Sequence, residues 1–265
     1  MAISGSAVNL STLLLEKNRF NGKGPSLLVS EWIEETGEAG FAGLELWINH
    51  LLFSSRSEWE SIAEKSRESD LTLSAISAAL PVDASDKSQR FRDSVIEACE
   101  FFRPDALKFT LADARAEGAL DFVKEWSRDV PRELSLLYDA GESAGAEALA
   151  AARKILDGGR FKAVLHPFMF GAKDLEAAFA AANDFVANLG VHAKKAGQCI
   201  LLEENAEEHR KIIAAVNGRG YKGTWSLELS KGAGLPREDI EGMFDNAEKD
   251  LNFLIEAQAR VSRAR

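Results

Sequence analysis

Residues 40–47, GFAGLELW, contain a short apolar run at 43–47 that is followed by the polar residues Asn49 and His50. Runs of the same strand-like kind recur along the chain, at residues 7–10, 71–78, 106–110, 134–138, 162–166, 191–194 and 224–229. From 43–47 onward, their starts lie about 28 to 35 residues apart, which is the length of a strand, a helix and two short loops. This spacing predicts a regular alternation of strands and helices.

The segments between these runs have the periodicity of amphipathic helices. In residues 57–67, for example, Trp59, Ile62 and Ala63 lie on one helical face, with charged residues on the other. Further helices are predicted at 86–101, 177–189, 204–217 and 237–259. We interpret 204–217 as a surface helix that exposes His209 to solvent. The amphipathic helix at 237–259 is expected to pack either on this chain or on a partner.

Eight strands alternate with these helices, and neither a linker nor a break in composition separates them. They predict one domain, residues 1–265, of the α/β class with a single (β/α)8 TIM-barrel architecture. A doubly wound sheet of eight strands is the alternative. It is disfavoured because Gly22, Gly24 and Pro25 lack the spacing of a Gly-rich nucleotide loop, and no strong strand precedes them.

The composition argues against several classes of protein. Acidic residues outnumber lysine and arginine by 42 to 32, so the net charge is −10, which argues against a nucleic-acid partner. No apolar run approaches the roughly 18 residues that would span a bilayer, and the start of the chain does not resemble a signal peptide. Cys99 and Cys199 are too few for a disulfide framework. We therefore expect a cytoplasmic protein without a membrane partner.

Polar and aromatic residues cluster at the ends of the predicted strands, where a TIM barrel builds its active site. Three of the four histidines are among them. The candidates for substrate binding are Glu45, Trp47, His50, Lys108, Phe168, Lys194, Lys195, Trp225 and Lys231. The candidates for catalysis or metal binding are Asp139, Glu142, His166, His192 and Glu228.

These residue types have both a functional and a packing interpretation. Glu228 interrupts an apolar strand, so its carboxylate needs a lysine, a histidine or a metal as a partner if it is buried. Glu45 and His50 are suited to binding a substrate but equally to supporting neighbouring groups. The four candidate lysines would favour an anionic substrate, although lysines also crowd the rims of barrels. The three candidate aromatic residues either stack on a sugar or pack in the core.

Three stretches resemble sequence phrases of the xylose-isomerase-like TIM barrels. Residues 40–46, GFAGLEL, resemble the phrase G-F-x-G-[VL]-E-L of the second strand in that family. Residues 191–194, VHAK, resemble the phrase [VH]-H-x-K of the seventh strand, and residues 220–228, GYKGTWSLE, resemble the phrase of the last strand. The family contains sugar-phosphate isomerases and epimerases, hydroxypyruvate isomerase, inosose dehydratase and the AP-endonuclease barrels.

The resemblance implies a divalent metal held by a Glu, an Asp, a His and a Glu that follow the fifth, sixth, seventh and last strands. His192 and Glu228 match two of these positions. The Asp is replaced by His166, and the Glu is lost unless Asp139 or Glu142 takes its place. The implied ligand set is thus His166, His192 and Glu228, with Asp139 as a fourth. Two imidazoles and one carboxylate suit Mn, Zn, Co or Fe better than Mg.

The activity implied by the resemblance is that of an isomerase or epimerase of a small carbohydrate or keto acid. It would transfer a proton next to a carbonyl, with Glu228 as one acid–base group and Asp139, Glu142 or a lysine as the other. The substrate would be a small anionic or polyhydroxylated molecule. Barrels of this family often associate, so a homo-oligomer is an open alternative.

Two other functions are compatible with the same fold. In the first, a family member with a degenerate metal site binds a small anionic metabolite without the usual chemistry. The second is an AP-endonuclease-like nuclease, which requires a histidine-rich cage for three metals and a DNA-binding surface. Four histidines and a net charge of −10 argue against the nuclease.

Overall fold

The structure is a computed structural model that describes residues 6–19, 24–112, 118–142, 145–156, 159–235 and 238–263. Two residues used in the sequence predictions, Gly22 and Arg237, lie outside these ranges. Among the described residues, ten strands are β1 (Val8–Ser11), β2 (Gly43–Trp47), β3 (Thr72–Leu80), β4 (Ala106–Leu111), β5 (Ser135–Asp139), β6 (Phe161–Leu165), β7 (Val186–Val191), β8 (Ala193–Lys195), β9 (Gln198–Ile200) and β10 (Thr224–Leu227).

Helices connect the strands in the order that the spacing predicts. The α-helices of the described residues are α1 (Ile33–Glu38), α2 (Ile48–Leu52), α3 (Arg56–Glu68), α4 (Asp86–Phe102), α5 (Ala119–Trp126), α6 (Ala146–Leu156), α7 (Ala172–Ala182), α8 (Ala206–Gly218) and α9 (Ile240–Arg263). Short 3-10 turns lie at Val29–Glu31, Pro167–Met169, Asn183–Phe185 and Leu202–Asn205. Ser85 begins α4 by accepting a hydrogen bond from the backbone N–H of Ser88, as expected of a helix cap.

The strands close into a parallel barrel in the order β1-β10-β7-β6-β5-β4-β3-β2. The first and last barrel strands pair directly, with Asn9 opposite Ser226, which closes the ring. The predicted (β/α)8 barrel is thereby confirmed, and a doubly wound sheet is ruled out because a doubly wound sheet is open. Strands β8 and β9 form a separate antiparallel ribbon after β7. That residues 1–265 form a single domain stays a prediction.

Along each barrel strand, side chains point alternately into the apolar core and into the barrel interior. On β4, Leu107 and Phe109 are fully buried in the main apolar core, while Lys108 between them contacts Glu45 of β2 and Glu228, which follows β10. Strand β10 lies on the opposite side of the ring from β4, so this contact can be made only through the interior. Successive side chains of a strand point to opposite faces, which explains how a polar interior and an apolar core alternate in one segment.

The prediction for the seventh strand is wrong in its boundaries. Barrel strand β7 covers Val186–Val191, whereas a helix was predicted at 177–189 and a strand at 191–194. Asn188 and Gly190 face the interior and interrupt the apolar run that would identify a strand. Asn188 is held there by donating hydrogen bonds to Thr224 and Ser226. His192 nevertheless follows the strand, so its position at the barrel end is retained.

The prediction that His209 is exposed to solvent is also wrong. His209 lies on the inner face of α8 and is only 3% exposed. Its Nδ1 donates a hydrogen bond to the backbone oxygen of Leu202 at 2.6 Å, and its ring packs edge-on against Phe168. Burial lowers the pKa of His209, which keeps the imidazole neutral. His209 is therefore a packing residue that ties α8 to the segment before it.

Helix α9 packs on this chain. One face of the helix is fully buried against the rest of the chain, at Ala247, Leu251 and Leu254. On the same helix, Asp250 accepts hydrogen bonds from the Leu202 backbone N–H at 2.7 Å and the Ser230 hydroxyl at 2.5 Å. In the part of the chain that the structure describes, every helix falls short of the length and apolarity needed to cross a membrane.

Candidate metal centre

Three side chains from adjacent barrel strands meet at the carboxyl end of the barrel. His166 follows β6, His192 follows β7 and Glu228 follows β10, and all three are buried. The Nδ1 atoms of both imidazoles lie 3.4 Å from Oε2 of Glu228. One ligand atom of each residue lies within 4.8 Å of the others, which is the only such group among the described residues. The structure thus brings together three of the four metal ligands implied by the sequence resemblance.

The other nitrogen of each imidazole faces a carboxylate. Nε2 of His166 donates to Oδ1 of Asp139 at 3.0 Å, and Nε2 of His192 lies 3.2 Å from Oε1 of Glu142. A carboxylate behind a metal-ligating histidine commonly fixes the tautomer and orientation of the ring. With the proton on Nε2, each ring would present its Nδ1 lone pair to the space beside Glu228. Burial would lower the pKa of His192, but Glu142 and Glu228 raise it to about 9, so an ion would have to displace a proton from this ring.

The cluster fits a divalent ion by two observations. Among the described residues, His166 Nδ1 and both ring nitrogens of His192 have no hydrogen-bond partner, although all three are buried. Buried polar atoms normally have one, so the two Nδ1 atoms that face Glu228 require an explanation. Gly190 of β7 leaves the space open, because a Cβ built on it would overlap the ring of His166 and lie 2.7 Å from Oε1 of Glu228. Gly190 was not among the site residues predicted from the sequence. It could have been found from its position two residues before His192, which places both on the same face of the strand.

The structure does not place Asp139 among the ligands. Its Oδ1 accepts from His166 Nε2 and from the Gly141 backbone N–H at 2.8 Å, so it lies behind the imidazole. Burial alone would raise the pKa of Asp139, but His166 and Lys108 lower it below its ordinary value. Asp139 is therefore an ionised group that orients His166.

A buried ionic triad lies beside the cluster. The Lys108 ammonium donates to Oε1 of Glu228 and lies 3.3 Å from both carboxylate oxygens of Glu45. Ser11 donates a further hydrogen bond to Glu45. Burial alone would lower the pKa of Lys108, but the two carboxylates raise it, so the amine stays charged. Burial likewise would raise the pKa of Glu228, but Lys108 and the imidazoles lower it.

Glu142 is the most accessible carboxylate of the site. Its side chain is 38% exposed, and it accepts hydrogen bonds from the Lys194 ammonium at 2.6 and 2.7 Å. The neighbouring His192 and Lys194 lower the pKa of Glu142 to about 2, although burial opposes the shift. Lys194 is thus engaged by a carboxylate of this chain at the barrel mouth.

A second polar network supports the rim near β2. His50 is buried, with Nδ1 2.9 Å from the Thr12 hydroxyl and Nε2 3.1 Å from Glu16. The Thr12 hydroxyl accepts the backbone N–H of Trp47, whose half-buried ring packs edge-on against His50. His50 therefore contacts Trp47 directly through its ring and indirectly through the Thr12 hydroxyl. Thr12 and Glu16 were not among the site residues predicted from the sequence, although Thr12 directly follows β1 and Glu16 lies in the loop after it.

The remaining candidates lie apart from the cluster. Trp225 is fully buried, with Phe168 packed at 6.2 Å between ring centres. Lys231 forms a surface ion pair with Glu204 at 2.9 Å, and Lys195 is exposed on the ribbon. The structure brings none of these four residues to the two imidazoles.

The described residues thus define a (β/α)8 barrel with a candidate two-histidine, one-carboxylate metal centre at its carboxyl end. No protein-family model and no curated protein matches the sequence. Solved structures of the xylose isomerase-like TIM-barrel kind do match the fold over nearly the whole chain, which confirms the fold that the sequence resemblance implied.

Three of these structures illustrate the similarity. D-psicose 3-epimerase in the presence of D-fructose has a TM-score of 0.68 at 12% identity, over 96% of this chain and 99% of that chain. A probable 3-DHS dehydratase from Bacillus anthracis has a TM-score of 0.63 at 14% identity, over 97% and 98% of the two chains. A xylose isomerase-like TIM-barrel protein from Mycobacterium smegmatis in complex with magnesium has a TM-score of 0.62 at 15% identity, over 96% and 97%. At these identities the likeness establishes the fold.

Proposed function

We propose that the protein is a divalent-metal-assisted isomerase or epimerase of a small carbohydrate or keto acid. The observation that carries this proposal is the pair of partnerless Nδ1 atoms, on His166 and His192, that face one oxygen of Glu228. The sugar epimerase and the magnesium complex among the structures of the same fold support it by analogy. Two imidazoles and one carboxylate favour Mn, Zn, Co or Fe over Mg.

In this proposal, His166, His192 and Glu228 hold the ion, and Asp139 and Glu142 orient the two imidazoles. When bound, a divalent ion would act as a Lewis acid on the carbonyl or hydroxyl oxygens of the substrate. Proton transfer falls to Glu142, the accessible carboxylate beside the cluster, because Lys108 occupies Oε1 of Glu228 and the ion would take Oε2. Asp139 is less suited because both His166 and the Gly141 backbone already occupy its Oδ1.

Lys194 links substrate binding to the basicity of Glu142. An acid–base group works best when its pKa lies near the working pH, and in the free protein Glu142 lies far below it. A substrate oxygen that draws the Lys194 ammonium away would raise the pKa of Glu142. Lys194 would then bind the substrate and Glu142 would accept a proton in the same step.

The charge balance of the site favours a polyhydroxylated substrate over a strongly anionic one. Lys108, Lys194 and Lys231 each contact a carboxylate of this chain, so their charges are already compensated. Lys195 is exposed on the ribbon and extends toward solvent from the rim. We propose a small neutral sugar or a monoanionic keto acid, and no nucleic-acid partner. Cytoplasmic localisation and a homo-oligomer stay predictions.

One observation favours the second candidate function, a metal-free member of the fold that binds a metabolite without turnover. The Lys108 ammonium pairs with Glu228 directly, so this buried carboxylate has a cation of the chain itself as a partner. A carboxylate with a lysine partner does not require a metal to be stable in the interior. The two candidates therefore differ in whether the pair of imidazoles binds an ion.

The test begins with protein purified without chelator. Elemental analysis and the thermal shift on adding Mn²⁺, Co²⁺ or Zn²⁺ should show one bound ion per chain, and His192→Ala/Glu228→Ala should abolish it. A panel of ketoses, aldoses and keto acids in D₂O, followed by NMR, should show metal-dependent deuterium uptake next to the carbonyl. An ion-free protein with no thermal shift would exclude the metal-assisted enzyme. Metal binding without exchange on any panel member would exclude the proposed chemistry on those substrates.

A further inference from the structure

We propose that Lys108 determines which metal the site prefers, because its ammonium occupies one oxygen of Glu228 and leaves only the other oxygen for an ion. Lys108 is thereby a positioning residue that acts through Glu228. The inference rests on the proposed metal centre and names the residue that sets its selectivity.

The two oxygens of Glu228 have different surroundings. Oε1 accepts a hydrogen bond from the Lys108 ammonium, whereas Oε2 lies 3.4 Å from both imidazole Nδ1 atoms. Lys108 reaches Oε1 from the far side of the barrel and is held there by Glu45, 3.3 Å from each of its oxygens. The carboxylate therefore cannot turn both oxygens toward an ion while the lysine is in place.

With this arrangement His166, His192 and Glu228 would offer an ion two nitrogen ligands and a single oxygen. Soft to borderline ions such as Zn²⁺ and Co²⁺ accept imidazole readily, whereas Mg²⁺ prefers carboxylate and water oxygens. If the ammonium is removed, both oxygens of Glu228 become available, and the negative charge of Glu45 is no longer compensated. The freed oxygen changes the ligand set in favour of hard ions, whereas the uncompensated charge strengthens the binding of both divalent ions alike.

The experiment measures dissociation constants for Zn²⁺ and Mg²⁺ by competition calorimetry on the wild type and four variants. Lys108→Met removes the charge at similar length, and Lys108→Arg keeps it. Glu45→Gln removes one charge but leaves the contact between the lysine and Glu228. Lys108→Met/Glu45→Gln frees the oxygen of Glu228 while leaving the net charge of the site unchanged.

We expect Lys108→Met to shift the ratio of Zn²⁺ to Mg²⁺ affinity by about tenfold toward Mg²⁺, the scale on which groups behind the ligands act. Lys108→Arg should restore the wild-type ratio, and the double variant should keep the shifted one. Glu45→Gln should weaken both ions by a similar factor and leave the ratio unchanged, because both ions are divalent. The Mn²⁺ electron paramagnetic resonance spectrum should change in Lys108→Met and in the double variant only.

A Lys108→Met ratio within twofold of the wild type would overturn the inference and leave the proposed metal centre standing. A shift that disappears in the double variant would also overturn it, since charge alone would then explain the effect. If Lys108→Met does not fold, Glu45→Gln decides, because a changed ratio there contradicts the inference. A wild type that binds neither ion would overturn both the inference and the proposed metal-assisted function.

Discussion

Gly190 lies against the ring of His166 with no space for another carbon atom between them. A Cβ at position 190 would overlap Nδ1 and Cε1 of that ring and approach Oε1 of Glu228 to 2.7 Å. The backbone of β7 therefore comes so close to the cluster that only glycine leaves both ligands where they are. Gly190 is not among the described glycines that have a positive φ. A glycine is therefore needed here because of the close approach to His166 and not because of the backbone conformation.

Gly190→Ala should weaken metal binding by about tenfold or more, because the new methyl group displaces His166 or Glu228. Overpacking of this kind should also destabilise the fold by roughly 1–3 kcal/mol. Calorimetric titration with Zn²⁺ and urea denaturation would measure the two effects. Gly218→Ala, at the end of α8 with open space around the position, is the matched control and should change neither. Wild-type metal affinity in Gly190→Ala would contradict the geometry of the site.

Asp139→Asn should reduce metal affinity about tenfold, whereas His166→Ala should abolish detectable binding. The difference follows because Asp139 orients the ring and only the ring is placed to bind the ion. The absorption spectrum of bound Co²⁺ would show whether the number of ligands changes, which it should not in Asp139→Asn. Asp121→Asn, an exposed carboxylate on α5, serves as the control. Equal loss in Asp139→Asn and His166→Ala would make Asp139 a direct ligand.

Asp250→Asn should remove a pH-dependent loss of stability. Burial raises the pKa of Asp250 from 3.8 to about 6, although hydrogen bonds from Ser230 and Leu202 oppose the rise. Between these two values the folded state binds more protons than the unfolded state, so stability falls as the pH rises from about 4 to about 6. Above pH 6 the full penalty, on the order of 3 kcal/mol, is present.

Urea denaturation of the wild type and of Asp250→Asn from pH 4 to 7 would measure this effect. As the pH rises across this range, the free energy of unfolding of the wild type should fall relative to that of the variant, because the amide carries no charge that must be buried. Asp245→Asn, exposed on the same helix, should run parallel to the wild type. Parallel curves for Asp250→Asn as well would show that Asp250 titrates at an ordinary pKa.

His209→Ala should destabilise the protein by about 2 kcal/mol, because it leaves the Leu202 carbonyl without its donor and opens a gap beside Phe168. Chemical denaturation at pH 8, where the imidazole is neutral, would measure the change. Lys211→Ala on the exposed face of α8 should leave the free energy of unfolding close to that of the wild type. If His209→Ala behaved like Lys211→Ala, the histidine would be a surface residue after all.

Much of this architecture follows from local sequence. Strand-like runs repeat at a nearly constant interval, and that interval predicts the barrel, because each parallel strand needs a helix to return the chain. The same pattern places His166, His192 and Glu228 at strand ends, where a barrel brings them together. The pattern fails at β7, because Asn188 and Gly190 face the crowded interior and interrupt the apolar periodicity by which a strand is recognised.

The sequence alone therefore determines the order of elements and which residues stand at the carboxyl end of the barrel, because spacing and alternation are properties of neighbouring residues. Only the tertiary structure decides what each side chain faces. Lys108 and Glu228 are 120 residues apart and on opposite strands, and Asp139 lies behind an imidazole instead of beside the cluster. Such pairings depend on the register and tilt with which eight strands close, and no local pattern contains that information.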